Sequence, residues 1–240
     1  MTRLLDRLKI KVFADGADKA TMLRLRSLPH IQGFTTNPTL MRKAGVLDYE
    51  AFARDVVEAI PDRPISFEVF ADDPAEMERQ ARKISAWGSN IYVKIPVTNT
   101  KGESTVDVVR NLACSGIKLN VTALLPLDQV REMTAALAGG PPACISIFAG
   151  RIADTGVDPV VLMTSALEIV EPHPNIELIW ASPRELLNIF QADAIGCHII
   201  TVTNDLLDKL ALVGKDLHEY SLETVKMFHR DAAASGFVLS

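Results

Sequence analysis

Lys94 lies in Ile91-Tyr92-Val93-Lys94-Ile95-Pro96, a short apolar run with the pattern of a buried strand. A lysine there is costly unless an acid pairs with it or burial lowers its pKa and removes its charge. A neutral amine in a closed pocket is the nucleophile that Schiff-base chemistry on a carbonyl requires. Glu68, between Phe67 and Val69, is a second ionisable residue inside an apolar run. Strand alternation puts Lys94 on a face with Tyr92, and Glu68 on a face with Ser66 and Phe70. If the bulkier apolar set turns outward, both charged groups project into a common interior. A buried ion pair without chemistry is the alternative reading.

The elements that must position this pair recur along the chain. Short apolar runs stand at 11–15, 33–36, 65–70, 91–95, 118–123, 144–149, 177–181 and 197–202. Between them lie stretches with helical spacing, among them 74–87, 104–114, 126–137, 159–170 and 183–191, several with proline near the start. Eight strands alternating with helices predict a single (β/α)8 barrel over residues 1–240, with an extra C-terminal helix at about 221–236. A doubly wound open sheet is the competing class. The turn after the first strand, Phe13-Ala14-Asp15-Gly16-Ala17-Asp18, lacks its glycine-rich phosphate fingerprint.

A barrel places chemistry at the C-terminal ends of its strands, and unusual polar residues fall there. They are Asp15, the run Thr35-Thr36-Asn37-Pro38, Glu68, Lys94, Asn120 with Thr122, Ser146 with Phe148 and Arg151, and Ser182 with Arg184. Simpler roles exist for several. Asp15 could cap a helix, Asn37 could open a turn, and Ser182-Pro183-Arg184-Glu185 matches a capping box. Tyr92 and Phe148 suit barrel filling, and Arg151 and Arg184 could be solvated charges.

Composition excludes other classes. Net charge is −5, with acids and bases interspersed, so no basic stripe predicts nucleic acid as a partner. No apolar run is long enough to span a bilayer, and Met1–Lys9 is broken by charges where a secretory leader would be apolar. Cys114, Cys144 and Cys197 are odd in number and scattered, which predicts reduced thiols and a cytoplasmic home. The five histidines show no metal-ligand spacing, so no metal is expected, and His198 reads as a hydrogen-bonded core residue.

Taken together, these motifs resemble the transaldolase family, including its short members and the related fructose-6-phosphate aldolases. The resemblance covers nearly the whole chain. It rests on Ala14-Asp15, Gly33-Phe34-Thr35-Thr36-Asn37-Pro38-Thr39, Phe67-Glu68-Val69, Val93-Lys94-Ile95-Pro96, Leu119-Asn120-Val121-Thr122, Ser146-Ile147-Phe148-Ala149-Gly150-Arg151 and Ala181-Ser182-Pro183-Arg184. By that resemblance Lys94 forms a Schiff base with C2 of a ketose phosphate such as fructose 6-phosphate or sedoheptulose 7-phosphate. Asp15 takes the C4 hydroxyl proton, and Glu68 and Thr122 hold a proton-shuttling water. Asn37, Asn120 and Ser146 hold donor hydroxyls, and Arg151, Ser182 and Arg184 bind the phosphate.

The resemblance further implies transfer of a dihydroxyacetone unit to an aldehyde acceptor, with no cofactor, in carbohydrate metabolism of the pentose phosphate type. It also implies a homo-oligomer, a pentamer or decamer. Glu68 and Phe148 match the transferases; the aldolases, which release free dihydroxyacetone, would have glutamine and tyrosine. That lyase activity and a non-catalytic sugar-phosphate-binding barrel are the alternatives. Gly16, Pro183 and the Leu124-Leu125-Pro126 ending depart from the family pattern. All three flank the expected pocket and bear on which acceptor it takes.

Overall fold

The computed structural model describes residues 7–238, so Met1–Asp6 of the segment read for a leader lies outside the described residues. Eight parallel strands close into one barrel in chain order. They are β1 (Lys11–Asp15), β2 (Ile31–Thr35), β3 (Ile65–Glu68), β4 (Ile91–Pro96), β5 (Leu119–Leu124), β6 (Ala143–Ile147), β7 (Ile176–Trp180) and β8 (Ile199–Thr203). Around them run α1 (Lys19–Arg26), α2 (Pro38–Lys43), α3 (Tyr49–Ala59), α4 (Pro74–Ser85), α5 (Val106–Cys114), α6 (Leu127–Leu137), α7 (Ala149–Asp154), α8 (Pro159–Val170), α9 (Leu187–Ala194), α10 (Asn204–Asp208) and α11 (Leu217–Ser235). The predicted class and strand count hold, with strand ends displaced by a few residues.

Helix starts follow local capping chemistry. Asp18, Asn37, Asp48, Asp73 and Asp158 each accept a backbone N–H of the first turn, and proline follows directly in α2, α4 and α8. Such a cap contributes about 1 kcal/mol. The first helix is thus capped by Asp18, which leaves Asp15 free of that role. The C-terminal helix begins at Leu217 rather than near 221, because Asp216 accepts from His218 and Glu219 N–H.

One reading is corrected. Ser182-Pro183-Arg184 does not open a helix. Ser182 has a left-handed backbone (φ 58°), and the N–H groups of Arg184 and Glu185 donate to Asn188 Oδ1, so α9 starts only at Leu187. The capping side chain lies downstream of the loop instead of at its head.

The core divides as strand alternation requires. Ile91, Val93 and Ile95 of β4, and Ile65 and Phe67 of β3, pack outward against the helices. Inside the barrel, Phe13, Cys144, Ile179, Ala181 and Ile199 form a second cluster, with Tyr92 and Phe148 against it. Gly33 exists for this filling. A Cβ there would come 2.5 Å from the Phe13 ring, which lies across it. Cys144 and Cys197 are buried free thiols, whereas Cys114 is exposed. His198 is half-buried, and its Nδ1 accepts from Leu178 N–H at 3.0 Å, the bonded role expected of it.

Gly150 fixes how α7 meets the end of β7. A Cβ at this position would stand 1.6 Å from the Ser182 carbonyl oxygen, a backbone atom that cannot rotate away. Gly150→Ala is therefore expected to destabilise the fold by at least about 1–3 kcal/mol, lowering Tm by roughly 2–4 °C for each kcal/mol. Gly16→Ala, whose Cβ meets nothing closer than 3.6 Å, serves as the mild control. Thermal melts of the two variants check this, and equal Tm values would contradict it.

Candidate active site

The C-terminal ends of the strands surround a cavity of ≈ 680 Å³. Its lining includes Asp15, Asn37, Glu68, Lys94, Thr122, Ser146, Phe148, Arg151, Ser182 and Arg184, all picked out from the sequence. Asn120 stands apart as a fully buried support beneath the lining. Register brings the charged groups together: Glu68 pairs across to Lys94, and Lys94 to Asn120, on three successive strands.

Lys94 is 7% exposed. Its Nζ donates to the Thr36 carbonyl at 3.1 Å and lies 3.5 Å from Glu68 Oε2. The strand holding Glu68 is steadied from outside, since Tyr49 Oη donates to the Glu68 carbonyl at 2.8 Å. Asp15 Oδ1 accepts from Thr35 Oγ1 at 2.7 Å, and the Thr35 hydroxyl is itself hydrogen-bonded to Thr201. A buried polar chain runs from Ser146 Oγ to Asn120 Oδ1 (2.7 Å) and from Asn120 Nδ2 to Ser66 Oγ (3.0 Å). Thr122 Oγ1 is buried without a hydrogen-bond partner among the described residues. An unpaired hydroxyl on the cavity wall suits a polar ligand atom or a water.

Two carboxylates face one ammonium here. Burial pushes the Asp15 carboxyl above the usual range, opposed by the charge of Lys94 and the Thr35 hydrogen bond. Burial likewise raises Glu68, opposed by Lys94 and reinforced by the charge of Asp15. Raised carboxyl pKa values bring proton exchange closer to neutral pH, which general acid–base work needs. An amine with one such group in contact and a second close enough to feel its charge can add to a carbonyl and have its proton transfers served.

The rim above carries the cations. Arg151, on α7, sets its guanidinium 5.6 Å from the centroid of the Phe148 ring. Arg184 sits in the loop after β7 and forms a two-pronged pair with Asp154. Asn37 combines both readings made of it, since its Oδ1 caps α2 through Leu40 N–H while the residue lines the cavity. Pro183 also lines the cavity, whereas Leu124 is fully buried in the outer core.

Thr35, Thr201, Thr203, Asp205 and Ala123 line the site without having been singled out as site residues. The period-2 hydroxyls of Ile199-Ile200-Thr201-Val202-Thr203 were the available signal for two of them. Ala123 carried none, because its left-handed backbone (φ 66°) arises where β5 slips register against β6. Among the described residues, no three His, Cys, Asp or Glu side chains are grouped to hold a metal ion, and no helix is long and apolar enough to cross a membrane.

The profile of the family described as Transaldolase/Fructose-6-phosphate aldolase matches residues 12–237. A probable transaldolase of Streptococcus pyogenes is 32% identical over 226 residues, covering 94% of this chain and 99% of that protein. One from Dehalococcoides mccartyi is 33% identical over 199 residues, 82% of this chain and 88% of that protein. Among solved structures, a HpcH/Hpal aldolase/citrate lyase family protein of Burkholderia cenocepacia aligns with TM-score 0.59 at 14% identity, over 94% of this chain and all of that one (100%). The 3-keto-L-gulonate-6-phosphate decarboxylase of Vibrio cholerae aligns with TM-score 0.53 at 11% identity, over 81% and 87% of the two chains. Likeness at these identities concerns the fold alone.

The raised Asp15 carboxyl has a sign for stability. Unfolded, it titrates near its ordinary value; folded, it titrates higher, so the folded state holds the extra proton between the two. Stability then falls as pH rises through that window, and above the unfolded value burial of Asp15 is a cost. Asp15→Asn is expected to stabilise the protein by about 0.5–2 kcal/mol. Thermal denaturation near neutral pH checks it, and an unchanged or lower Tm contradicts the burial argument.

Proposed function

We propose that this chain, which belongs to the transaldolase/fructose-6-phosphate aldolase family, transfers a dihydroxyacetone unit from a ketose phosphate to an aldehyde acceptor through a Schiff base on Lys94. The observation that carries the reading is Lys94 itself. It is a nearly buried amine 3.5 Å from the Glu68 carboxylate, at the catalytic face of a closed barrel and on the wall it shares with Asp15.

Lys94 Nζ adds to C2 of a donor such as fructose 6-phosphate or sedoheptulose 7-phosphate. Loss of water from the carbinolamine, with protons carried through Glu68 and a water on Thr122 Oγ1, gives the protonated imine. That imine is an electron sink. Asp15 takes the C4 hydroxyl proton, the C3–C4 bond breaks, and its electron pair passes into the enamine. A general base so placed contributes about 10²–10⁴ in rate. The aldehyde product leaves, an acceptor aldehyde takes its place, and the steps run in reverse. Ser146 and Asn37 hold donor hydroxyls, with Asn120, expected from the sequence in the same role, backing Ser146 from beneath the lining, while Arg151, Arg184 and Ser182 receive the phosphate. Arginine suits a phosphate through its planar fork.

Phe148 favours transfer over release of free dihydroxyacetone. It presents an apolar ring, joined to the inner cluster and set under Arg151, where a lyase would use a hydroxyl to deliver the proton that discharges the enamine. The reaction proposed here needs no cofactor, and sugar-phosphate chemistry of this kind fits the cytoplasm. Assembly into a homo-oligomer, a pentamer or decamer, belongs to the same proposal. Helix α11 buries no residue, and Leu217, Val225 and Phe228 along it are exposed, a surface that self-association would cover.

Borohydride reduction in the presence of fructose 6-phosphate is expected to leave a three-carbon adduct on Lys94, located by intact mass and peptide mapping. Lys94→Met should give no adduct and no turnover. Near-normal turnover in that variant would sink the mechanism. Light scattering is expected to report a mass several times that of one chain, and a monomer would refute the assembly.

A further inference from the structure

The phosphate reading places two arginines on the cavity rim, and the structure treats them differently. Arg184 stands in an irregular loop, where a long side chain is ordinarily mobile. Here it is held at three points. Its backbone N–H donates to Asn188 Oδ1 at 2.8 Å. Its stem runs past Gly150, where an added Cβ would come 3.2 Å from Arg184 Cγ. Its Nε donates to Asp154 Oδ1 at 3.0 Å while Nη2 donates to Asp154 Oδ2.

The choice of partner is informative. Asp154 and Arg151 are both on α7, three residues apart and thus neighbours on one helix face. Asp154 nevertheless reaches across 30 residues to Arg184, and Arg151 has no carboxylate partner among the described residues. The pair occupies one edge of the Arg184 fork and leaves Nη1 without a hydrogen-bond partner among the described residues. Both side chains are about half exposed, at 47% and 53%. A pair that open to water contributes little to stability; what two parallel bonds do supply is orientation.

We propose that Asp154 is a positioning residue for the phosphate end of the substrate, clamping the Arg184 guanidinium so that its remaining donors meet the phosphate without first being ordered. The inference rests on the assignment of Arg184 to the phosphate. An ordered fork loses less rotamer freedom on binding, which appears as affinity. Charge alone predicts the opposite sign, because removing a carboxylate beside the rim should strengthen attraction for an anion. Orientation and charge can therefore be told apart by the direction of one change.

The test is steady-state kinetics of Asp154→Asn, with Arg184→Ala beside it, using fructose 6-phosphate as donor and inorganic phosphate as competitive inhibitor. Asp154→Asn is expected to raise KM for the donor and Ki for phosphate about tenfold, the scale of one charge-assisted bond. The change in kcat should stay within about twofold, because the group binds without touching the reacting atoms. The Tm should stay within a degree or two, roughly as for other exposed pairs. If Arg184→Ala raises KM but Asp154→Asn leaves it unchanged or lowers it, the phosphate assignment stands and the positioning role is overturned. If Arg184→Ala leaves KM unchanged, both fall.

Discussion

The ammonium of Lys94, held inside a barrel with one carboxylate in contact and a second close enough to feel its charge, is the constraint on which the rest depends. A lone charge in that interior would be too costly to keep. The two carboxylates repel each other, and each is raised by its burial while Lys94 opposes the rise. Lys94 thus offsets part of the cost of burying each carboxylate, while the two carboxylates oppose one another. The three groups sit together because closure of the barrel brings β1, β3 and β4 within reach across a narrow interior.

Support for that set is arranged in layers. Below it the inner cluster around Phe13, Ile179 and Ile199 closes the barrel against water, so that the polar layer above has a dry floor. Beside it the Ser146–Asn120–Ser66 chain satisfies buried polar atoms internally and holds their donors in place. Above it the backbone is strained at the register slip near the end of β5 and in the loop after β7. Ala123 and Ser182, the two non-glycine residues with positive φ among those described, both line the cavity. Such conformations cost about 1–3 kcal/mol each and collect where function requires them.

Legibility followed the range of the interaction that decided each feature. Strand and helix alternation was readable because it depends on period-2 and period-3.6 burial within a few residues. Lys94 and Glu68 were readable because an ionisable residue in an apolar strand violates that period and so announces itself. The loop at 182–186 was misread as a capping box, because its residue types satisfy the local rule while Asn188 competes for the same N–H groups. Thr201 went unnoticed since threonine in a strand is ordinary, and only its contact with Thr35 ties it to Asp15.

By itself the sequence determined the class of fold, the presence of a buried lysine at position 94 and the family to which the chain belongs, all of which rest on local pattern and residue type. Tertiary structure alone decided which carboxylate meets Lys94, which hydroxyl is left unpartnered at Thr122, and that Asp154 serves Arg184 rather than its own helix neighbour Arg151. The physical reason is that the two pairs join residues far apart in the chain, 26 positions for Lys94–Glu68 and 30 for Arg184–Asp154. Their geometry is set by barrel closure and strand register, which no short stretch of chain encodes.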